Sequence, residues 1–261
     1  MKTILKFITV AFLIGFVSCK KDTKEPEEDP NHVNVTEPTT GSLKIEFEHL
    51  VDTISFAFNQ NFRNPKLDTF KVTTLRYYIS NIVITKNDNS TFVEPNSYHL
   101  IDVANISSTI LTIANVPITS YKSVSFMLGV DSIKNVSGAQ AGDLAPSDMF
   151  WNWSTGYIMF KLEGSSPKSG SATKALTYHI GGFGGVNKTQ RNFNFSFGST
   201  TANVSATISP VVHLAVDINE FFKSPTLIDV TTQYFQMSTG VNAKMYADNF
   251  ANMISLKHVH N

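Results

Sequence analysis

The residues able to do chemistry in this 261-residue chain are few: seven histidines, two tryptophans and one cysteine. A single cysteine excludes intrachain disulfides and cysteine-built zinc or iron–sulfur sites, so a metal ion would be held by histidine, carboxylate, methionine or backbone oxygen. His258 and His260 stand at i, i+2 in the terminal Lys257-His258-Val259-His260. In extended backbone both imidazoles point the same way, so they either share one borderline metal ion or hang in a disordered tail. His49 ends an inward-facing alternation and His179 directly precedes a glycine run. Rings held by a sheet lose less entropy on binding than rings in a frayed tail, which ranks His49 and His179 above His258 and His260 as metal ligands. His213, inside Val211-Val212-His213-Leu214-Ala215-Val216, reads as a hydrogen-bonded core or edge histidine, and His32 and His99 as solvated or structural.

Both tryptophans fall in Met149-Phe150-Trp151-Asn152-Trp153-Ser154-Thr155-Gly156-Tyr157. Aromatic residues of this size are ordinary core material, yet two indoles within three residues beside a glycine also suit a stacking platform or a redox-modified site. An unmodified indole N–H only donates and is a poor metal ligand. Catalytic constellations are missing: there is no Gly-x-Ser-x-Gly elbow, no His-Glu-x-x-His and no Walker-type loop. Gly181-Gly182-Phe183-Gly184-Gly185 could cradle an anion through backbone N–H groups but lacks the Lys-Ser/Thr that would follow, so it reads as a loop or a close backbone approach. The chain is expected not to be an enzyme.

The elements that must position these residues are strands. Leu43, Ile45 and Phe47 alternate with Ser42, Lys44, Glu46 and Glu48, the period of two of a strand with one buried face. Similar short runs recur at Leu75–Thr85, Tyr98–Val103, Val124–Val130, Gly156–Leu162, Leu176–Ile180, Phe193–Phe197, Val204–Ile208 and Val211–Ile218, separated by Asn, Asp, Ser and Gly. Short strands without helix-length connections predict an all-β, antiparallel β-sandwich. One or two short helices are expected near the C-terminus. Asp217 with Glu220 three residues on caps a first one through Phe222, and Tyr246, Phe250, Met253 and Ile254 mark one face of a second over about 243–255.

The chain opens with Lys2 and Lys6, an apolar run from Phe7 to Val17, and Ser18-Cys19. Charged, apolar, then small is the order of an export signal, and Phe16-Val17-Ser18-Cys19 resembles a lipobox whose cysteine is lipidated. Residues 1–18 are therefore expected to be a lipoprotein signal peptide, and 19–41 a lipidated Cys19 plus tether. The tether holds three Pro, six acids and three Lys with almost nothing apolar, too little to offset ordering entropy. Residues 42–261 form the folded domain. The Lys-plus-acid cluster right after Cys19 is equally compatible with a surface-exposed and a periplasmic outer-membrane lipoprotein, attached through the lipid only. With 21 basic against 21 acidic side chains and 16% charged residues, there is no phosphate-neutralising surface, so a nucleic-acid partner is excluded.

Thr74-Leu75-Arg76-Tyr77-Tyr78-Ile79-Ser80-Asn81-Ile82, Tyr98-His99-Leu100-Ile101-Asp102, Phe126-Met127-Leu128-Gly129-Val130-Asp131, the Met149–Tyr157 segment and Tyr178-His179-Ile180-Gly181-Gly182 follow one another in an order that resembles the MbnP-like copper-binding domain family, most closely its Bacteroidetes lipoprotein branch. The resemblance spans about residues 42–261. It implies an exported, non-enzymatic β protein that binds copper for acquisition or handling, in some relatives with a tryptophan oxidised to kynurenine at the metal, and with an envelope partner of unknown identity. By the same resemblance Trp151 and Trp153 match the paired tryptophans, His179 a family histidine, and His49 a histidine of the first strand. Relatives often carry Asn-His where this chain has Asn135-Val136, and some a cysteine where it has Gly184-Gly185. The alternative from another class is a surface recognition module that binds glycan or protein without metal, with Trp151, Trp153 and Tyr157 as its platform.

Overall fold

The computed structural model describes residues 38–137, 140–145, 147–152 and 154–261. The export signal, Cys19, most of the tether and Trp153 lie outside the described residues. The first half of the chain gives β1 (Thr40–Val51), β2 (Ile54–Ser55), β3 (Phe62–Arg63), β4 (Thr69–Lys86), β5 (Thr91–Val93), β6 (Tyr98–Asp102), β7 (Ile110–Pro117) and β8 (Ser120–Leu128). After the short helix α1 (Ser132–Val136) come β9 (Phe150–Asn152), β10 (Gly156–Ser165), β11 (Ala175–Gly181), β12 (Arg191–Ser196), β13 (Ala202–Asn203), β14 (Val211–Asp217) and β15 (Phe235–Gln236). Helix α2 (Val241–Phe250) and β16 (Ile254–His260) complete the chain.

Two sheets share these strands. The smaller runs β16-β14-β1-β2, with β7 also paired to β1; the larger is built on β12-β8-β4-β10-β11-β15. The inward alternation of β1 works as expected: Leu43, Ile45 and Phe47 are buried against Tyr77, Phe126, Phe160 and their neighbours. Phe47 meets Tyr77 and Phe126 edge-on across the sandwich, with ring centroids 6.1 and 5.9 Å apart, a geometry favoured by the aromatic quadrupole. The sandwich is mixed and not purely antiparallel, because β1 pairs parallel to β14 and β11 parallel to β15. The long intervening chain supplies the crossover that a parallel pair requires.

The Asp217 cap is present: its side chain accepts from Asn219 N at 2.9 Å and starts a 3₁₀ turn over Ile218–Phe222. Helix α2 buries Ala243, Tyr246, Ala247 and Phe250, with Tyr246 stacked on Phe221 and Phe250 tilted against Phe160. Two expectations are corrected. Residues 204–208 are not a strand, because the Ser205 hydroxyl takes the N–H groups of Thr207 and Ile208 and turns the chain. The C-terminus is not a tail: β16 lies antiparallel on β14 from Ile254 to His260.

Candidate functional site

On β11, Tyr178 and Ile180 face the core, so His179 between them faces the other way. The register places His179 opposite Lys161, and Lys161 opposite Arg76. A polar row thus crosses the outer face of the large sheet, and Asp148 bridges it, 2.9 Å from both Lys161 Nζ and Arg76 Nη1. His179 is 7% exposed. Its Nε2 lies 2.7 Å from Glu163 Oε1, while the other Glu163 oxygen accepts from Thr74 Oγ1 at 3.0 Å. Burial holds the His179 pKa below its ordinary value, against the pull of Glu163. Burial alone would raise the Glu163 pKa, but the hydrogen bonds from His179 and Thr74 and the Lys161 charge bring it below normal. A neutral imidazole beside an ionised carboxylate donates through Nε2–H. Nδ1 then carries the lone pair, and this nitrogen is buried with no hydrogen-bond partner among the described residues. A histidine anchored by a carboxylate on one nitrogen and open on the other is the usual preparation for a metal.

Trp151 lies over Gly181, farther along the same strand. Gly181 is two residues beyond His179 on the same face, and a Cβ there would come within 2.8 Å of Trp151 Cζ3 and 2.7 Å of the Tyr157 carbonyl. Only glycine lets the indole lie on this strand. Around it the outer face carries its own apolar cluster of Tyr78, Val130, Leu144, Met149, Tyr157, Ile158 and Met159, with Trp151, Phe150 and Phe183 packed on it. Asn135 fastens this cluster, accepting from Tyr157 N and donating to the carbonyls of Val130 and Asp131. Tyr157 is fully buried and its hydroxyl donates to the Leu144 carbonyl, so it offers no face to a stacked sugar or peptide. Beside Trp151, the glycine run and Ser154 and Thr155 border an open cavity of about 290 Å³.

His49 occupies a different place. Its Nε2 is 3.0 Å from Tyr77 Oη, and its ring looks into a cavity of about 320 Å³ lined by Phe47, Phe56, Phe58, Val103 and Ile106. Burial pushes its pKa down to about 4. Tyr77, Phe160 and Ile180 are register partners on the core face, whereas His179 is on the opposite face. The sheet itself separates the two imidazoles, and they are not brought to one ion. His258 and His260 lie elsewhere again, on β16 opposite β14. The four histidines are therefore distributed over three places. Among the described residues no three or more His, Cys, Asp or Glu side chains are arranged to hold a metal ion.

Lys161, Glu163 and Asp148 escaped the reading of the sequence, although a lysine and a glutamate inside the apolar run Ile158–Leu162 and just after it are the signal that one face of β10 carries polar partners. His99 is structural, its Nε2 2.8 Å from Glu94 Oε2. Val136, where relatives often have histidine, is 63% exposed. Gly184 and Gly185 border open space.

Comparison with known proteins adds two matches. The sequence profile of the MbnP family fits residues 40–243. Among solved structures, MbnP from Methylosinus trichosporium superposes with a TM-score of 0.53 at 14% identity, over 74% of this chain and 83% of that one, a likeness of fold. A search of curated proteins returns no significant match.

Proposed function

Because the chain belongs to the MbnP family, we propose that it is an exported, non-catalytic lipoprotein, anchored to the outer membrane through Cys19, that takes copper as its cargo. The observation that carries the reading is His179: a neutral, buried imidazole whose Nε2 is fixed by Glu163 and whose Nδ1 has no partner among the described residues. Imidazole nitrogen suits copper and not the oxygen-seeking magnesium or calcium. Trp151 is the neighbour that completes the reading. Its indole N–H cannot ligate, whereas kynurenine, formed if dioxygen cleaves the indole ring of Trp151 or Trp153 and water releases the formyl carbon as formate, would supply an aromatic amine and a ketone that can. A metal-donating or metal-accepting envelope protein is the expected partner.

Copper titration of the parent against His179→Ala and Glu163→Gln tests it. His179→Ala is expected to abolish the copper equivalent at this face, and Glu163→Gln to weaken it about 10–100-fold, the usual effect of losing a supporting partner. Parent-like affinity in both variants would remove His179 from the function. The intact mass of the peptide carrying Trp151 and Trp153, taken from protein made in its native envelope, reports whether a tryptophan is oxidised.

A further inference from the structure

We propose that His213, His258 and His260 form a second metal site, on the outer face of the small sheet, for a borderline divalent cation of the Cu(II) or Zn(II) kind. It stands apart from the copper reading at His179, and two of its three histidines lie beyond residues 40–243, the stretch that fits the family.

The backbone brings the three together. His213 is the register partner of His258, and Val211 that of His260. Directly opposed residues of an antiparallel pair have Cβ atoms about 4.5–5.5 Å apart, and residues i, i+2 of one strand share a face. Two imidazoles from one strand and a third from the strand beside it thus crowd a single patch. The His213 and His258 ring centroids are 4.4 Å apart, and those of His213 and His260 6.4 Å.

Charge and tautomer favour a cation. Nδ1 of His213 is 3.1 Å from both Glu46 Oε2 and Glu48 Oε1, two carboxylates on the neighbouring β1. Glu48 also takes Lys257 Nζ at 2.6 Å. Two carboxylates thus border the patch, with Lys257 held on one of them and Lys44 two residues before Glu46 on β1. A carboxylate on Nδ1 fixes the His213 proton there and leaves Nε2 with its lone pair. That Nε2 is buried and without a hydrogen-bond partner among the described residues.

In the present side-chain positions the His213 and His258 planes are only 12° from parallel, so their in-plane lone pairs do not converge. His258 and His260 are exposed, and rotation between staggered wells is open to them. The site closes by turning these two rings toward a His213 already held by Glu46 and Glu48. Three imidazoles select Zn(II), Cu(II) or Ni(II) over calcium or magnesium.

The test is titration of the metal-free full chain with Zn(II), and separately with Cu(II), in competition with a chelator of known affinity. The doubly substituted His258→Ala/His260→Ala protein should lose one metal equivalent while its thermal unfolding stays that of the parent. Glu46→Gln/Glu48→Gln should weaken the same equivalent about 10–100-fold, and His213→Gln should weaken it at least as much. The Cu(II) spin-resonance spectrum should show coupling to more than one imidazole nitrogen, lost in the double alanine variant. His179→Ala should leave this equivalent untouched, which separates the two sites. The proposal is overturned if the double alanine variant binds as many equivalents as tightly as the parent. It is equally overturned if His213→Gln and the glutamine variants bind normally, because the metal would then sit on the His258/His260 pair alone.

Discussion

His49 shows what burial does to one imidazole. Its ring is held against Tyr77 in a phenylalanine-lined cavity, with its pKa down to about 4, whereas in the unfolded chain it titrates near the ordinary 6.5. Between those values the unfolded state binds the extra proton, so the stabilisation is complete above about 6.5 and is lost as pH falls toward 4. At about 1.4 kcal/mol per tenfold change in proton affinity, the loss is on the order of 3 kcal/mol. Denaturation measured from pH 7 to pH 4 should show it, and His49→Phe should flatten most of that slope. His179, depressed in the same direction, and the carboxylates held below their ordinary values, Glu48, Asp148, Glu163 and Asp248, add to the slope that remains. An unchanged slope in His49→Phe would mean that the ring is already hydrated. Reading the residues one by one found His49 and His179 by type, and the parity of Tyr178-His179-Ile180 shows that His179 turns away from its apolar neighbours. What was not legible is that β1 and β11 belong to different sheets. His49 therefore meets the inner face of the very sheet whose outer face carries His179, and no local pattern ranks the two faces. Glu163, sixteen residues before His179, becomes its partner only through the β10–β11 register.

At the scale of elements, the alternation of β1 was readable because that strand buries one face. The end of the chain was not. Its period of two is broken by an irregularity of register between His213 and Leu214, where Lys257 falls between Leu256 and His258, and its partner β14 is some forty residues earlier. The extrapolated helix face through Met253 and Ile254 was right about burial and wrong about conformation: α2 stops at Phe250, and Ile254 is the first residue of β16. Ile254 is 5% exposed and lies opposite Val216. Truncating it leaves a cavity at the join of helix and sheet. Ile254→Ala should therefore cost about 2–4 kcal/mol, read as a lower denaturant midpoint at unchanged slope. A loss below about 1 kcal/mol would show that β16 frays in solution and that the His258/His260 pair is less rigidly placed than the register implies.

Across the whole molecule the two sheets hold histidines in three separate settings: His49 between the sheets, His179 outside the large one, and the His213–His258–His260 patch outside the small one. The core that separates them begins with the strand at Thr40, and the described compact unit runs from Pro38 to Asn261. None of its helices is long and apolar enough to cross a membrane. The attachment proposed for this protein rests on the sequence of residues 1–37, outside the described unit. Lys2, Lys6, the apolar run and Ser18-Cys19 carry it. One acyl chain binds a bilayer only marginally and reversibly, and stable anchoring takes a second one, as lipidation of an N-terminal cysteine provides. On that proposal, removing the thiol removes the anchor. Cys19→Ala, expressed in an envelope that lipidates such proteins, is therefore expected to move from the membrane pellet to the soluble fraction while its thermal unfolding and metal titration stay those of the parent. Retention in the pellet through an alkaline wash would show that the folded unit itself holds to the membrane, and would take the lipid out of the account.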